Sequence, residues 1–396
     1  MKKFEKVRED FPLLKRFVYL DSASTSLTPI PVVESMNDYY YNYNANTGRG
    51  NYKIAIKATD KLENTRKELA KFINVRDKEI IFTKNTTDSI NMVVNGLKFE
   101  KTDNVIVSSI EHHSNLIPWL NLKNQGVKVK TAKNNGDYEV NPNDINDLIN
   151  ENTKIIAITH ISNVFGSLQD VKEIGKIARE NDVLFLIDAA QSVGYIPTNT
   201  KDINPDFMAF PAHKGLLGPV GAGALYLKEE IAERLMVKNL GGGTVTNVEG
   251  DGFRLESIPY RFEGGTSNIS GIIGLGRAID YINNIKIENI EKYSQKLTDE
   301  LYQKISSIEN IKVYGNPNNI HHTIAFNIKG LNPYDVSKIL DETSNICVRS
   351  GVHCSIPSVK NVGAESGIVR ASIHFYNNLE DIQKLYDALK LISQMV

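Results

Sequence analysis

The feature that most constrains this chain is an alternation, between about residues 60 and 230, of short β-branched apolar runs with stretches of helical periodicity. Runs that are apolar on both faces are typical of strands in a mostly parallel sheet buried between helix layers. The sequence therefore predicts an α/β fold. The predicted strands are 79–83, 104–108, 128–131, 154–159, 183–187 and 207–210, and the predicted helices are 87–97, 142–149 and 170–181.

The pattern changes at about residue 272, where a long helical region is predicted over 272–308. Further predicted strands at 312–314, 323–328 and 369–373 alternate with helices at 333–340 and from 379 onward. We predict three parts: an N-terminal segment, 1–22, that packs with the small domain; a large domain, 23–272; and a smaller α+β domain, 273–396.

Composition excludes several classes of protein. The chain has 396 residues and a formal net charge of -1, so no basic footprint for nucleic acid or anionic membranes is expected. No apolar run approaches the roughly 18 residues of a membrane helix, and the charged N-terminus has no apolar signal region. Two cysteines, Cys347 and Cys354, do not make a disulfide framework or a metal site. We expect a cytoplasmic protein without a metal.

Lys214 is the first residue that suggests chemistry. It follows a predicted strand and precedes four glycines, in Pro211-Ala212-His213-Lys214-Gly. Glycines allow close approach of the backbone, and a crowded loop can desolvate a lysine so that its amine is neutral and reacts with an aldehyde. A surface lysine in a glycine turn is the plainer interpretation of this segment alone.

Three other strand ends carry polar residues. Asp188 ends an apolar strand, at the edge where parallel sheets bind ligands, and could pair with a protonated pyridine nitrogen. Thr86 and Thr87 open a helix whose N-terminus suits a phosphate. His112 follows another strand and could stack on an aromatic ring. Each alone also fits an ordinary cap or loop residue, but their order along the chain is far more specific together.

This order resembles the fold-type I pyridoxal-phosphate enzymes of the class V aminotransferase group. Nearly the whole chain resembles the SUF-type cysteine desulfurases, a group that also includes selenocysteine lyases. The fold implied is a large domain with a seven-stranded, mostly parallel sheet between helices, and a smaller α+β domain. The matching segments are 19–25, 111–119, 159–166, 188–191, 213–214, 262–266, 349–354 and 370–377.

The resemblance implies how pyridoxal 5'-phosphate is bound. Lys214 would carry the cofactor as a Schiff base and move protons, and His112 would stack on the pyridine ring. Asp188 would pair with the ring nitrogen. Gln191 and Asn163 would hydrogen-bond the phenolic oxygen.

The resemblance also implies a phosphate site shared between two subunits. Thr86, Thr87 and His213 would hold the phosphate within one chain. Thr266 matches a residue that reaches across a dimer interface to the phosphate of the partner, so a homodimer is implied.

The implied substrate is L-cysteine, possible alternatives being L-selenocysteine or another amino acid of this class. Arg370 would clamp its carboxylate, with Asn163, Ala23 and Arg349 also at the substrate. Cys354 would attack the substrate sulfur, leaving alanine and a persulfide that passes to a sulfur-acceptor protein for iron–sulfur or other sulfur-transfer biosynthesis.

The chain departs from the family pattern at several positions. Pro211-Ala212 replaces Ser-Gly before His213, so that a phosphate-binding hydroxyl is missing, and Gly48 replaces a histidine near the site entrance. Cys354 alone could be a small core residue, but its place in Arg349-Ser-Gly-Val-His-Cys favours a nucleophile. Cys347 is interpreted as apolar filler.

Three alternatives stay open on the sequence. The first is a selenocysteine lyase or another class V lyase or transaminase. The second is a non-catalytic scaffold that binds a sulfur carrier. The third, a nicotinamide enzyme, is disfavoured because no Gly-x-Gly-x-x-Gly lies between a first strand and helix.

Overall fold

The computed structural model of the protein describes residues 2–395. The strands are β1 Val18–Tyr19, β2 Ile80–Thr83, β3 Asn104–Ser108, β4 Lys128–Ala132, β5 Thr153–Thr159, β6 Leu184–Asp188, β7 Phe207–Pro211, β8 Gly223–Leu227, β9 Val245–Glu249, β10 Gly252–Leu255, β11 Ile311–Tyr314, β12 Thr323–Ile328, β13 Ile346–Cys347, β14 Arg349–Gly351 and β15 Ile368–Ser372. The helices are α1 Lys2–Arg8, α2 Ile30–Asn42, α3 Lys53–Phe72, α4 Thr86–Gly96, α5 Ile117–Asn121, α6 Pro142–Leu148, α7 Val171–Glu180, α8 Thr200–Ile203, α9 Ile269–Ile285, α10 Ile287–Ser306, α11 Pro333–Ser344, α12 Ile356–Asn361 and α13 Leu379–Ser393.

A seven-stranded sheet forms the centre of the larger part, with strand order β2-β8-β7-β6-β5-β3-β4. The pairs from β7 through β6, β5 and β3 to β4 are parallel. Strand β8 runs antiparallel to both β7 and β2. Strand β2 is therefore parallel to β7, and the carboxyl ends of six of the seven strands lie at one edge. The predicted α/β fold with a mostly parallel sheet is confirmed.

Both faces of this sheet are buried, as the apolar runs predicted. Along β5 and β6, Ile156 and Phe185 belong to a core formed with α7 and α9, whereas Ile155 and Leu184 belong to a second core formed with α4 and α5. Neighbouring residues in a strand point to opposite faces, so one continuous apolar run supplies both cores.

A second sheet, of order β11-β12-β15-β14, is antiparallel and packs with α10, α11 and α13 around a separate core. The N-terminal segment joins this part, because β1 pairs with β13 and Arg8 forms an ion pair with Asp381 at 2.7 Å. This packing supports the domain boundaries given above, which stay a prediction.

The structure refines the predicted elements at three places. The helical region 272–308 is two helices, α9 and α10, separated at Lys286, whose φ of 75° breaks the helix. Strand β8 and the long helices α2 and α3 had not been predicted. Among residues 2–395, no helix is long and apolar enough to cross a membrane, and no three His, Cys, Asp or Glu side chains are grouped to hold a metal ion.

Candidate active site

One cavity, of about 270 Å³, lies at the edge where the parallel strands end. The loops that follow β2, β3, β5, β6 and β7 form its floor, and residues of the N-terminal segment and the second sheet close it. The side chains around it come from sequence positions more than 300 residues apart. It is lined by Ala23, Ser24, Asn85, Thr86, Thr87, His112, Ser114, Thr159, Asn163, Asp188, Ala190, Gln191, Pro211, His213, Lys214, Arg349, His353 and Arg370.

Lys214 lies three residues beyond the end of β7 and lines this cavity. Desolvation is the main cause that lowers the pKa of its amine to about 8, and the positive charges of Arg370 and Arg349 act in the same direction. Asp188 and Cys354 act against them. A substantial share of the amine is therefore neutral near pH 8, as reaction with an aldehyde requires.

Asp188 is the last residue of β6 and is 3% exposed. Its Oδ1 accepts a hydrogen bond of 3.0 Å from the N–H of Ala190, so part of the carboxylate serves the local turn, as a capping residue would. Burial raises its pKa, and the Lys214 charge partly opposes this. A buried carboxylate of this kind gains from a cationic partner in the cavity, such as a protonated pyridine nitrogen.

His112 follows β3 and is held by its own turn. Its Nδ1 accepts a hydrogen bond of 3.0 Å from the N–H of Ser114, so the ring proton is on Nε2. Burial lowers the pKa of the imidazole to about 3, with Lys214 contributing next. The ring is therefore neutral and its orientation is fixed, as suits a residue that stacks on an aromatic cofactor.

The predicted phosphate site lies at the N-terminus of α4. The side chain of Asn85 caps the helix by accepting from the N–H of Asp88, and Thr87 Oγ1 lies 2.7 Å from Ser114 Oγ. Within the described part of the chain, the buried Thr86 Oγ1 and His213 Nδ1 have no hydrogen-bond partner. Buried polar atoms are normally paired, so these two atoms, one at the N-terminus of α4 and the other in the loop after β7, fit an anion that would supply their partner.

Gln191 and Asn163 each present a fixed amide to the cavity. Gln191 Nε2 donates to the carbonyl of Ala23 at 2.8 Å, and Asn163 Nδ2 donates to the carbonyl of His353 at 2.8 Å. Each NH₂ group has a second hydrogen, which remains for a ligand. The site thus meets the requirements of pyridoxal phosphate: lysine, carboxylate, stacking ring, amide donors and phosphate cradle.

Arg370 is fully buried yet lines the cavity. Its Nη1 donates to the carbonyl of Asn163 at 2.9 Å, and its Nη2 donates to Asp21 at 3.0 Å and Ser24 Oγ at 2.7 Å. Arg349 donates to the same hydroxyl at 2.7 Å. Two guanidinium groups thus meet at Ser24, which makes this end of the cavity positive and suited to a carboxylate.

Cys354 lies three residues beyond the end of β14, in a strained turn. Both His353 and Cys354 have positive φ, of 50° and 53°, which is uncommon outside glycine. The carbonyl of Cys354 accepts a hydrogen bond of 2.7 Å from the N–H of His113, and this bond holds the turn in place. His353 lines the cavity, whereas the half-buried Cys354 is not among the lining residues, although its charge acts on the amine of Lys214.

Thr266 is the one residue predicted to bind the cofactor that does not line this cavity. It is exposed, and it lines a second cavity, of about 550 Å³, together with Arg49, Gly243 and Gly265. In a single chain it does not reach the first cavity, as expected of a residue that acts across a dimer interface.

Sequence reasoning missed three residues that organise the site: Ser24, Ser114 and Glu111. Ser24 links the two arginines, and Ser114 links Thr87 to His112. Glu111 is buried and accepts from Asn115 at 2.7 Å and from the Thr159 N–H at 3.0 Å, and burial raises its pKa to about 8. All three lie in segments that carried the resemblance, and that position was their only signal.

The comparisons with known proteins agree with one another on the family to which this chain is similar. The model of the family "Aminotransferase class-V" matches residues 18–385. A probable cysteine desulfurase from Methanothermobacter thermautotrophicus is 51% identical over 393 residues, covering 99% of this chain and 98% of the relative.

Solved structures agree with this comparison. The apo cysteine desulfurase from Thermococcus onnurineus NA1 is similar with a TM-score of 0.96 and 40% identity, covering 99% of this chain and 98% of that one. A cysteine desulfurase from Escherichia coli is similar with a TM-score of 0.92 and 31% identity, with the same coverage.

Proposed function

Because this chain belongs to the class V aminotransferase family, we propose that it is a pyridoxal-phosphate-dependent cysteine desulfurase that converts L-cysteine to L-alanine and holds the sulfur on Cys354 as a persulfide. The observation that carries the proposal is the convergence on one cavity of Lys214 and Asp188, from the large sheet, with Arg370 and the His353–Cys354 turn, from the second sheet.

The residues fit the cofactor at both of its ends. Lys214 and Asp188 would hold the ring end, with His112 against its face. The Thr86 hydroxyl and the His213 imidazole, whose polar atoms lack partners among residues 2–395, would hold the phosphate. When bound, pyridoxal phosphate withdraws electrons from the amino acid and so weakens its Cα–H and Cβ–S bonds.

Lys214 is the proton carrier of the reaction. A neutral amine can take the Cα proton of the substrate, and the ammonium that results can return a proton to the three-carbon product. The pKa of about 8 suits both directions near neutral pH. His112 does not compete for this proton, because its pKa is lowered to about 3.

Arg370 and Arg349 select and orient the amino acid. Their guanidinium groups are held in place before the substrate arrives by Ser24, Asp21 and the carbonyl of Asn163. A carboxylate bound there fixes one end of the substrate, so that its side chain extends toward the His353–Cys354 turn.

Cys354 performs the sulfur transfer. Its thiolate attacks the substrate sulfur, an S–S bond forms, and the Cβ–S bond breaks. The electron pair of the broken bond stays with the three-carbon fragment, which is protonated and leaves as alanine. Cys354 retains the extra sulfur, and because the residue is only half-buried, an acceptor protein can reach it from outside.

The proposal includes an oligomeric state, a use for the sulfur and a location in the cell. The exposed Thr266 supports a homodimer in which each subunit completes the phosphate site of its partner. The persulfide would supply iron–sulfur or other sulfur-transfer biosynthesis through an acceptor protein. We also propose that the enzyme acts in the cytoplasm.

The decisive experiment supplies purified holoenzyme with L-cysteine and a thiol reductant and measures alanine and sulfide. Cys354→Ala is expected to lose both products while keeping the visible absorbance of bound cofactor. Cys347→Ala is the matched control, because Cys347 is the other half-buried thiol and belongs to β13, which pairs with β1, rather than to the His353–Cys354 turn. It is expected to retain wild-type turnover.

The outcomes separate the alternatives. Full cysteine turnover by Cys354→Ala would overturn the desulfurase assignment. Turnover of selenocysteine but not cysteine by that variant fits both enzymes, so the wild-type ratio of the two substrates then decides which is preferred. A wild-type protein without any cofactor absorbance would indicate the non-catalytic scaffold.

A further inference from the structure

A column of four aromatic rings lies buried behind the cavity, and it is not part of the machinery described above. His322 stacks on Tyr195 with ring centroids 3.9 Å apart and planes 2° apart. Tyr195 contacts His374 at 4.7 Å, and His374 stacks on Tyr376 at 5.2 Å. All four side chains are at most 3% exposed. We call these four residues the aromatic column.

The column ends on Gln191 through a hydrogen bond whose direction can be deduced. His322 Nε2 lies 3.3 Å from Gln191 Oε1, and Gln191 Nε2 lies 2.8 Å from the carbonyl oxygen of Ala23. The carbonyl can only accept, so the amide NH₂ faces Ala23 and the amide oxygen faces His322. His322 must therefore carry its proton on Nε2 and donate.

A second ring of the column reaches the segment of Lys214. His374 Nδ1 accepts a hydrogen bond of 2.9 Å from the N–H of Phe375, so its proton is on Nε2. That Nε2–H points at the carbonyl of Gly215, 3.3 Å away, directly after the lysine. Burial lowers the pKa of both histidines, so both rings are neutral single donors.

Gln191 has no freedom to turn while both contacts hold. If its amide rotated by 180°, two oxygens would face each other at Ala23 and two N–H groups would face each other at His322. The remaining amide hydrogen is thus aimed by the carbonyl of Ala23, which lines the cavity, and by His322, which does not. Tyr195 keeps the His322 ring in plane by stacking, and it is itself fixed by donating to the Ser22 carbonyl at 3.0 Å.

We propose that His322 is a positioning residue: its Nε2–H locks the amide of Gln191 so that the remaining N–H points at the phenolic oxygen of pyridoxal phosphate. His374 provides a second anchor of the same kind, at the backbone that follows Lys214. The inference rests on the proposed function, since it needs the cofactor in this cavity.

The test compares His322→Phe with Tyr195→Phe in the purified holoenzyme. Both keep an aromatic ring in the column. Tyr195→Phe removes the buried bonds of its hydroxyl to the Ser22 carbonyl and to Ser26 Oγ, whereas only His322→Phe leaves Gln191 Oε1 without a donor. We expect His322→Phe to release pyridoxal phosphate about tenfold more readily, the effect of one unpaired buried acceptor. Tyr195→Phe is expected to stay within about twofold of wild type.

A spectroscopic measurement distinguishes a positioning role of His322 from a general loss of stability of the protein. The pH midpoint of the visible absorbance of the lysine-bound cofactor depends on donors to the phenolic oxygen. His322→Phe is expected to move that midpoint to higher pH, because the negative oxygen loses a fixed donor. The unfolding midpoint of the cofactor-free protein should fall by similar amounts in both variants. His322→Leu serves as a second donor-free variant if His322→Phe does not fold.

A double-mutant cycle with Gln191→Ala completes the test. If His322 acts through Gln191, the effect of His322→Phe on the absorbance midpoint disappears in the Gln191→Ala background. Equal midpoint shifts in His322→Phe and Tyr195→Phe, an unchanged midpoint in His322→Phe, or full additivity with Gln191→Ala would each overturn the proposal. Wild-type protein that binds no cofactor would instead overturn the proposed function.

Discussion

Lys214 is tuned by charges of both signs. Burial and the two guanidinium groups of Arg370 and Arg349 favour the neutral amine, whereas Asp188 and Cys354 favour the ammonium. The result, a pKa of about 8, lies well below the usual value of a lysine, about 10.4. Since only the neutral amine attacks an aldehyde, the same balance sets how fast the lysine captures its cofactor.

We predict a pH dependence for cofactor capture. The rate at which cofactor-free protein incorporates pyridoxal phosphate should rise as pH increases from about 7 to about 9 and level off above about 9, because an amine with a pKa of about 8 deprotonates in this window. Stopped-flow absorbance at a series of pH values measures it. A rate that keeps rising to pH 10 would mean that Lys214 has an ordinary pKa.

At the scale of elements, the N-terminus of α4 and the crossing of two loops position the site. The helix presents Thr86 and Thr87 from its first turn, where backbone N–H groups are free for an anion. The loops after β6 and β7 cross at Gly194 and Gly215, where a Cβ on either residue would meet the backbone of the other loop. Lys214 is adjacent to this crossing.

Thr86→Val is predicted to weaken cofactor retention by about ten- to a hundredfold, the effect of one hydrogen bond to a charged group, with little change in stability. Thr200→Val is the matched control. Its hydroxyl is also buried without a partner among residues 2–395, at the start of α8, and it is not among the residues that line the cavity. Dialysis against a cofactor-free buffer measures retention; equal losses in both variants would refute a phosphate role for Thr86.

Gly215→Ala is predicted to destabilise the protein by about 1–3 kcal/mol, because the added methyl group collides with the carbonyl of Val193. It should also reduce cofactor binding, since Lys214 must shift with its neighbour. Gly136→Ala, where nothing lies within 4 Å of the new carbon, is the control. Thermal unfolding of both variants is the measurement, and an unchanged melting temperature in Gly215→Ala would contradict the crossing.

The sequence predicted these elements unevenly, for physical reasons. For the strands buried on both faces, the predicted bounds agree with the observed bounds within one or two residues, because a continuous apolar run marks where such a strand begins and ends. Strand β8 was missed because it lies inside the glycine-rich segment after Lys214, where glycine suggested only a loop. Helix α2 was missed because it precedes the alternation, and α3 because it begins before it. Both bury only part of their surface, so that their first turns resemble exposed chain.

The site was predictable to the extent that it follows strand ends. Asp188 and Lys214 end neighbouring parallel strands, so their meeting at one edge follows from the fold. Arg370, by contrast, reaches the cavity from the second sheet and bonds to Asp21, 349 residues away. No local pattern encodes such a contact, and only the family resemblance pointed to it. Neither a local pattern nor the family resemblance predicted the donor role of His322, because that role depends on the orientation of a single amide.

At the scale of the whole molecule, the seven-stranded and the four-stranded sheets both contribute to one cavity, and Thr266 lies outside it. A homodimer with shared sites makes a specific prediction about mixtures. Lys214→Ala and Thr266→Val chains, each impaired alone, should form mixed dimers in which one site has both native residues. Cysteine turnover at limiting cofactor should therefore recover when the two proteins are unfolded together and refolded.

The control mixes Lys214→Ala with Asp188→Asn. Both of these residues belong to the cavity of one chain, so every site in the mixed dimer lacks one of them and activity should stay low. Recovery in both mixtures, or in neither, would argue against a site completed by Thr266. Size-exclusion chromatography of the wild type establishes first whether the protein is a dimer.

The way Arg370 is held has a consequence for the cell that contains this protein. Its guanidinium is braced by Asp21, Ser24 and the Asn163 carbonyl, so it offers a rigid receptor for a free α-carboxylate. A cysteine inside a polypeptide has no such carboxylate, because that group is part of a peptide bond. If Arg370 binds the substrate as proposed, the enzyme is confined to free amino acids, because a peptide-linked cysteine lacks both the carboxylate that Arg370 would bind and the α-amine that the cofactor aldehyde requires.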